Sequence, residues 1–178
     1  MAQQTIIDLT GNAIIDLTKD NWNDAVDYYY VNAFGKKSLL QRRTCRFQTC
    51  LRKCQLEMCS EHLCDVLGVE VKESNIPGAG FGLFATREFK KNQTIIFFTG
   101  SAITRLGIIK KEYTLWRGKS MYYDCSVKRC AAACANTLRV NNCKTVAFRL
   151  KCSLKTTKKI RAGDELTTPY GRSYTLNA

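Results

Sequence analysis

The stretch that most constrains this chain is Val69 to Gly100, VEVKESNIPGAGFGLFATREFKKNQTIIFFTG. Directly after Pro77 it places Gly78, Gly80 and Gly82 at alternate positions. Alternate glycines let a backbone run close to a ligand or another chain, because no Cβ stands in the way. A strand-like Val-Glu-Val precedes them, Leu83-Phe84-Ala85 resumes an apolar run, and Thr94 to Phe98 reads as a further buried strand. The order predicted is strand, glycine loop, strand, a turn at Lys90-Lys91-Asn92, and strand. A dinucleotide fold does not fit, because no helix opens here with an acid about 20 residues on.

At 178 residues the chain has room for one domain and an extension, and its 45% apolar content supports a real core. The net charge of +13 favours acidic partners such as nucleic acid or chromatin. It is unevenly spread. Residues 1–30 hold five aspartates and one lysine, whereas 36–53 and 144–161 each hold seven basic residues and no acid. A solvated basic surface explains those runs as well as nucleic-acid contact does. No apolar run reaches the length of about 18 residues that a membrane span needs. The start of the chain lacks a basic and then apolar leader, so no signal peptide is read. Ten cysteines in such a chain point to free thiols or metal rather than disulfides.

In chain order, residues 5–20 repeat Ile-Ile-Asp-Leu-Thr twice, as TIIDLTGN and AIIDLTKD. The copies could pair as a hairpin across Gly11-Asn12. They also resemble the SUMO-interacting motif, a short apolar strand with an acid that adds to the edge of a sheet. Two copies would raise avidity through effective concentration. Residues 21–34 read as a short helix, with Trp22, Tyr28, Tyr29 and Phe34 packing on the main domain.

Residues 38–64 carry Cys45, Cys50, Cys54, Cys59 and Cys64 around His62, the only histidine. Five thiols and an imidazole are ample for a zinc site. Against this, Leu40, Phe47, Leu51, Cys54 and Met58 fall at helical spacing, no Gly or Pro interrupts 36–66, and no CxxC pair occurs. The helix is the stronger expectation, with Arg42, Arg43, Arg46, Arg52 and Lys53 on its solvent face. Zinc stays open and no residue is assigned as a metal ligand.

Further on, Glu112 to Trp116 and Met121 to Cys125 read as the strands of a hairpin across Arg117-Gly118-Lys119-Ser120. Cys130-Ala-Ala-Ala-Cys134 permits a short, closely packed helix, and Asn136, Asn141 and Asn142 mark a loop. Thr145 to Leu154 alternates in polarity and reads as one half-exposed strand, with Val146, Phe148, Leu150, Cys152 and Leu154 on one side. Lys158 to Arg161 is a basic turn, and Asp164 to Tyr170 the last strand.

Four of these segments, in this order, resemble the SET domain of protein-lysine methyltransferases. IPGAGFGLFA looks like its glycine segment, and the hairpin ending Tyr123-Asp124-Cys125 like its central hairpin. Asn136-Thr-Leu-Arg-Val-Asn-Asn-Cys143 is similar to its Asn-His-Ser-x-x-Pro-Asn-Cys, and Gly163-Asp-Glu-Leu-Thr-Thr-Pro-Tyr-Gly171 to its closing Gly-Glu-Glu-Leu-x-x-x-Tyr-Gly. The resemblance implies a mainly β fold of small sheets with a knot-like crossing of the last two segments. It divides the chain into an arm (1–34), a basic Cys-rich segment preceding the SET domain (35–66), the SET domain (67–174) and a tail (175–178).

The resemblance also implies S-adenosylmethionine as cofactor, with Ala79, Gly80, Phe81, Tyr113, Asn136 and Thr137 around it and Tyr170 as the catalytic residue. A protein-lysine methyltransferase acting on a histone-like substrate in the nucleus is the function implied. Thr137, Leu138, Ala133 and Phe98 depart from the family's His, Ser, Arg and Tyr. No cysteine follows Cys152, so a C-terminal zinc cluster including Cys143 is not expected. These departures keep a second reading open: a SET-like module without turnover that binds SUMO and nucleic acid.

Overall fold

The computed structural model describes residues 29–31, 37–39, 42–104, 114–118, 121–125, 128–148 and 151–170. The Ile-Ile-Asp-Leu-Thr repeats, Trp22, Phe34, Tyr113 and the tail lie outside the described residues. Strands dominate, as the resemblance implies. β1 (Tyr29–Val31) pairs antiparallel with β2 (Lys37–Leu39), and β3 (Arg43–Thr44) with β4 (Lys53–Cys54). A short helix, α1 (Ser60–His62), runs into a π-turn over Leu63–Leu67. Gly68 ends it with φ +72°, a left-handed cap that glycine adopts without a Cβ penalty.

Three three-stranded sheets follow. The first has β5 (Val69–Glu73) and β13 (Glu165–Leu166) on either side of β6 (Phe81–Ala85). The second places β12 (Lys151–Thr156) between β11 (Cys143–Phe148) and β7 (Thr94–Phe97). The third places β10 (Met121–Asp124) between β8 (Ser101–Thr104) and β9 (Thr114–Gly118). The strand–loop–strand order around the glycines and the β9–β10 hairpin agree with the sequence. Asn92 takes φ 64° in the turn before β7. Ala131–Cys134 forms one 3-10 turn whose Ala131, Ala132 and Cys134 are buried, so only small side chains fit.

Three expectations are corrected. Residues 38–64 are not a helix: β2, β3, β4 and turns fill most of the segment, and helical backbone begins only at Ser60. Leu51 is 87% exposed and Phe47 40%, so the apolar residues at helical spacing do not form a buried stripe. Arg43, expected in solvent, instead donates to the carbonyls of Leu56 and Arg129. Residues 29–31, expected in a helix, form β1.

The third concerns Thr145 to Leu154, which is two strands rather than one. β11 and β12 pair with Val146 opposite Ser153 and Phe148 opposite Lys151. Residues directly opposite share a face, so the turn sends Val146 and Phe148 to the side away from Cys152 and Leu154. Cys152 and Leu154 are fully buried, whereas Phe148 is 69% exposed.

The core gathers Phe84, Phe89, Leu83, Leu154, Ile160 and Leu166, all essentially inaccessible. Leu56 and Leu63, from the Cys-rich segment, belong to the same cluster as Val69 and Leu83. Glu57 is carried in with them. Its Oε2 accepts from the Ala131 N–H at 2.8 Å, and burial pushes its carboxyl above the usual range.

All ten cysteines are free. Burial pushes the Cys143 thiol up to about 12, and burial likewise takes Cys134 to about 12 although Arg129 pulls it back. The thiolate is the reactive form, so both are inert at neutral pH. With the native protein at about pH 8, iodoacetamide is expected to alkylate exposed Cys64 and spare Cys134 and Cys143. Peptide mass spectrometry reads this, and equal labelling of Cys143 and Cys64 would contradict the packed core. No helix among the described residues is long and apolar enough to cross a membrane.

Candidate active site

The site forms where the closing segment crosses the Asn136 segment. Beyond β13, Thr167 makes a parallel bridge with Asn136, and the Thr168 N–H donates to the Asn136 carbonyl at 2.8 Å. Farther along, the Cys143 N–H donates to the Thr167 carbonyl at 2.9 Å. The Asn142 side chain holds the same crossing: Nδ2 donates to the Glu165 carbonyl at 2.7 Å, and Oδ1 accepts from the Thr167 N–H at 2.9 Å. Residues 136–143 are therefore clasped by 165–168.

Glu165 is the hub. Its Oε1 accepts from Ser74 Oγ at 2.6 Å and from Asn136 Nδ2 at 3.1 Å, and its Oε2 from the Asn75 N–H at 2.9 Å. Asn136 Nδ2 also reaches Ser74 Oγ at 3.1 Å and the Phe81 carbonyl at 3.0 Å. Three acceptors thus share two N–H bonds. The amide of Asn136 is spent on the protein, where it ties the glycine loop to the closing segment. Gly82 makes room for this hub, since a Cβ there would overlap Glu165 Oε1. The alternation of glycines serves packing at Gly82 and an open face at Gly80, where a Cβ would meet nothing within 4 Å and φ is +71°.

Tyr170 stands at the same crossing. Its hydroxyl donates to the Ala135 carbonyl at 3.2 Å, and its N–H donates to Thr137 Oγ1 at 3.4 Å. The hydroxyl is thus oriented although the residue is 37% exposed. The crossing also borders a groove of about 430 Å³ lined by Asn75, Ile76, Pro77, Leu138, Val140, Asn142, Lys158, Glu165 and Thr167. That volume falls within the range of small-molecule sites.

The structure brings Ala79, Gly80, Phe81, Asn136, Thr137 and Tyr170 into one neighbourhood, and Tyr113 lies outside the described residues. The groove is lined by neighbours of these residues rather than by the residues themselves. The glycine loop is also partly committed: the Gly80 carbonyl accepts from the Ser74 N–H and the Ala79 N–H donates to the Ile76 carbonyl. What the loop offers a bound molecule is its Cβ-free face at Gly80. The groove adds the apolar Ile76, Pro77, Leu138 and Val140 and the polar Asn75 and Lys158.

Sequence reasoning misses Ser74, Asn142 and Glu165 as positioning residues. Glu165 and Asn142 sit inside the two motifs, which is a signal that could have found them, whereas Ser74 carries no sequence signal. A separate group, Cys45, Cys50, Cys59 and His62, brings its ligand atoms within 4.8 Å of one another. It lies in the Cys-rich segment and not in this site.

Several solved structures share the fold. A humanized mutant of the Chaetomium thermophilum polycomb repressive complex 2 bound to an inhibitor is 20% identical over 60% of this chain and 15% of that one, with a TM-score of 0.55. An active polycomb repressive complex 2 in the basal state is 22% identical over 60% and 16%, with a TM-score of 0.54. The Chaetomium complex in an autoinhibited conformation bound to S-adenosylmethionine is 22% identical over 60% and 15%, with a TM-score of 0.51. At these identities the likeness is one of fold, and it spans about 15% of the length of those proteins. No curated protein sequence matches this chain. A family model described as the SET domain matches residues 80–171, more than half of the chain and including Gly80, Gly82, the Asn136 segment and Tyr170. The chain therefore belongs to the SET-domain family.

Proposed function

We propose that this protein is an S-adenosylmethionine-dependent protein-lysine methyltransferase acting on a histone or another chromatin protein. The observation that carries the reading is the placement of Tyr170: its hydroxyl is fixed on the Ala135 carbonyl while the residue stays 37% exposed. Two relatives in fold support the ligand classes. One is bound to S-adenosylmethionine, and another is in complex with trimethylated histone H3.

When bound, the cofactor supplies an electrophilic methyl group. The chain's part is positioning. Gly80 would give close backbone approach, with Ala79, Phe81, Asn136 and Thr137 around it, and the family resemblance assigns Tyr113 to the same role. The Tyr170 oxygen, with its proton given to Ala135, keeps lone pairs to accept an N–H of the substrate lysine and so hold a neutral amine in line. The basic runs at 36–53 and 144–161 favour acidic surfaces such as chromatin, and the two Ile-Ile-Asp-Leu-Thr copies would add SUMO contact in the nucleus.

Calorimetric titration with S-adenosylmethionine tests this reading. Micromolar binding is expected for the wild type. Asn136→Ala is expected to weaken it at least about tenfold, the effect of losing roughly 1.4 kcal/mol of site order. A folded wild-type protein that does not bind the cofactor would replace the enzyme with a module that binds SUMO and nucleic acid without turnover.

A further inference from the structure

Among the ten cysteines, three converge with the single histidine. Cys50 Sγ and Cys59 Sγ are 4.0 Å apart, Cys45 Sγ lies 3.4 Å from His62 Nδ1, and Cys59 Sγ lies 3.1 Å from the same nitrogen. All four ligand atoms fall within 4.8 Å of one another. A tetrahedral zinc ion with Zn–S of about 2.3 Å and Zn–N of about 2.0–2.1 Å needs S···S edges of about 3.8 Å and S···N edges of about 3.5 Å. The separations are those of an ion-sized cage. We infer that Cys45, Cys50, Cys59 and His62 bind one structural zinc ion, through three thiolates and Nδ1 of the neutral imidazole.

The surroundings support a built site. The Cys59 N–H donates to Cys45 Sγ at 3.4 Å, the kind of bond that fixes a sulfur ligand. The Cys50 N–H donates to the Phe47 carbonyl at 3.0 Å, closing the turn between the first two thiols. Phe47 stacks on the His62 ring at 4.1 Å between centroids, covering the imidazole on one side. The other two thiols of the segment are directed elsewhere. Cys54 Sγ donates to the Leu56 carbonyl at 3.3 Å, and Cys64 is exposed. The ligand spacing, C-x4-C-x8-C-x2-H, contains no CxxC pair.

The site would hold more than its own loop. Between the second and third thiols the chain carries Leu56 and Glu57 into the main core. Glu57 there receives the N–H of Ala131, one turn before Asn136. Zinc at the cage would fix this loop against the segment that leads into the candidate active site. The cage does not rest on the methyltransferase reading, because it stands outside that site.

The experiment uses the full chain purified under reducing conditions. Elemental analysis is expected to give one zinc per chain. Cys50→Ser and His62→Ala are expected to lose the zinc, and Cys64→Ser to keep it. Binding replaces up to three thiol protons with the metal, so removal and re-addition of zinc should take up and release protons. Cobalt added to the metal-free wild type is expected to show the visible bands of a tetrahedral ion and thiolate charge transfer. Because that measurement needs no variant, it decides the matter even where Cys50→Ser fails to fold. A reduced wild type with neither zinc nor a cobalt spectrum, or a His62→Ala variant with full metal content, would overturn the proposal. So would a purified chain 2 Da light through a Cys50–Cys59 disulfide.

Discussion

If the proposed methyltransferase reading holds, replacing Tyr170 with Phe is expected to lower methyl transfer by about 10²–10³-fold, the usual cost of one preorganised polar contact at a reacting centre. On the same reading S-adenosylmethionine affinity is expected to stay within about twofold, because only contacts tighter at the transition state change kcat without changing binding. The ring keeps its packing while the bond to the Ala135 carbonyl is lost. Single-turnover transfer of a labelled methyl group, run beside the calorimetric titration, separates the two quantities. Equal activity in Tyr170→Phe would remove Tyr170 from the chemistry, whatever the fold. Reduced activity with equally reduced cofactor affinity would make it a structural residue.

The second large effect is at Glu165. Its carboxylate gathers donors from Ser74, Asn75 and Asn136. Glu165→Ala leaves all three without that acceptor, at about 1–3 kcal/mol for each group that water does not reach. A net loss of about 3 kcal/mol lowers Tm by roughly 6–12 °C for a domain of this size. Glu165→Gln is expected to fall between wild type and Ala. Its amide oxygen can still serve Ser74 and Asn136, but its NH2 then faces the Asn75 N–H, donor against donor. Thermal unfolding followed by circular dichroism ranks the three proteins. A Glu165→Ala protein that melts within about 1 °C of wild type would show that water, not this network, satisfies the donors.

The parts legible in the sequence are those where local chemistry and global position agree. The glycines at 78, 80 and 82 have no apolar explanation, so their alternation by itself marks a backbone constraint. Asn136 and Tyr170 stand out because each sits in a motif at fixed spacing. Their actual neighbours are not legible. Ser74 lies 62 residues from Asn136, and nothing in a serine announces such a partner. The Cys-rich segment misleads because a helix and a thiol-gathered loop can show the same spacing of apolar residues. There, exposed Leu51 and the convergence of three sulfurs on His62 decide against the helix. The β11–β12 hairpin reads as one strand for a related reason. Alternation runs on through a short turn, and only the pairing register shows which residues change face.

The crossing of the last two segments also orders events on the ribosome. Glu165 reaches back 91 residues to Ser74 and 29 to Asn136. At about 5–20 residues per second, the glycine loop is exposed for roughly 5–18 s before Glu165 is synthesised. During that interval β6 has β5 on one edge and no β13 on the other. A nascent chain stalled before Glu165 can have a core of β5–β6 and β7–β12, yet no clasp on Asn136 and no Tyr170. The proposed site would therefore be completed in one step, when Glu165 and Tyr170 emerge, rather than built up segment by segment.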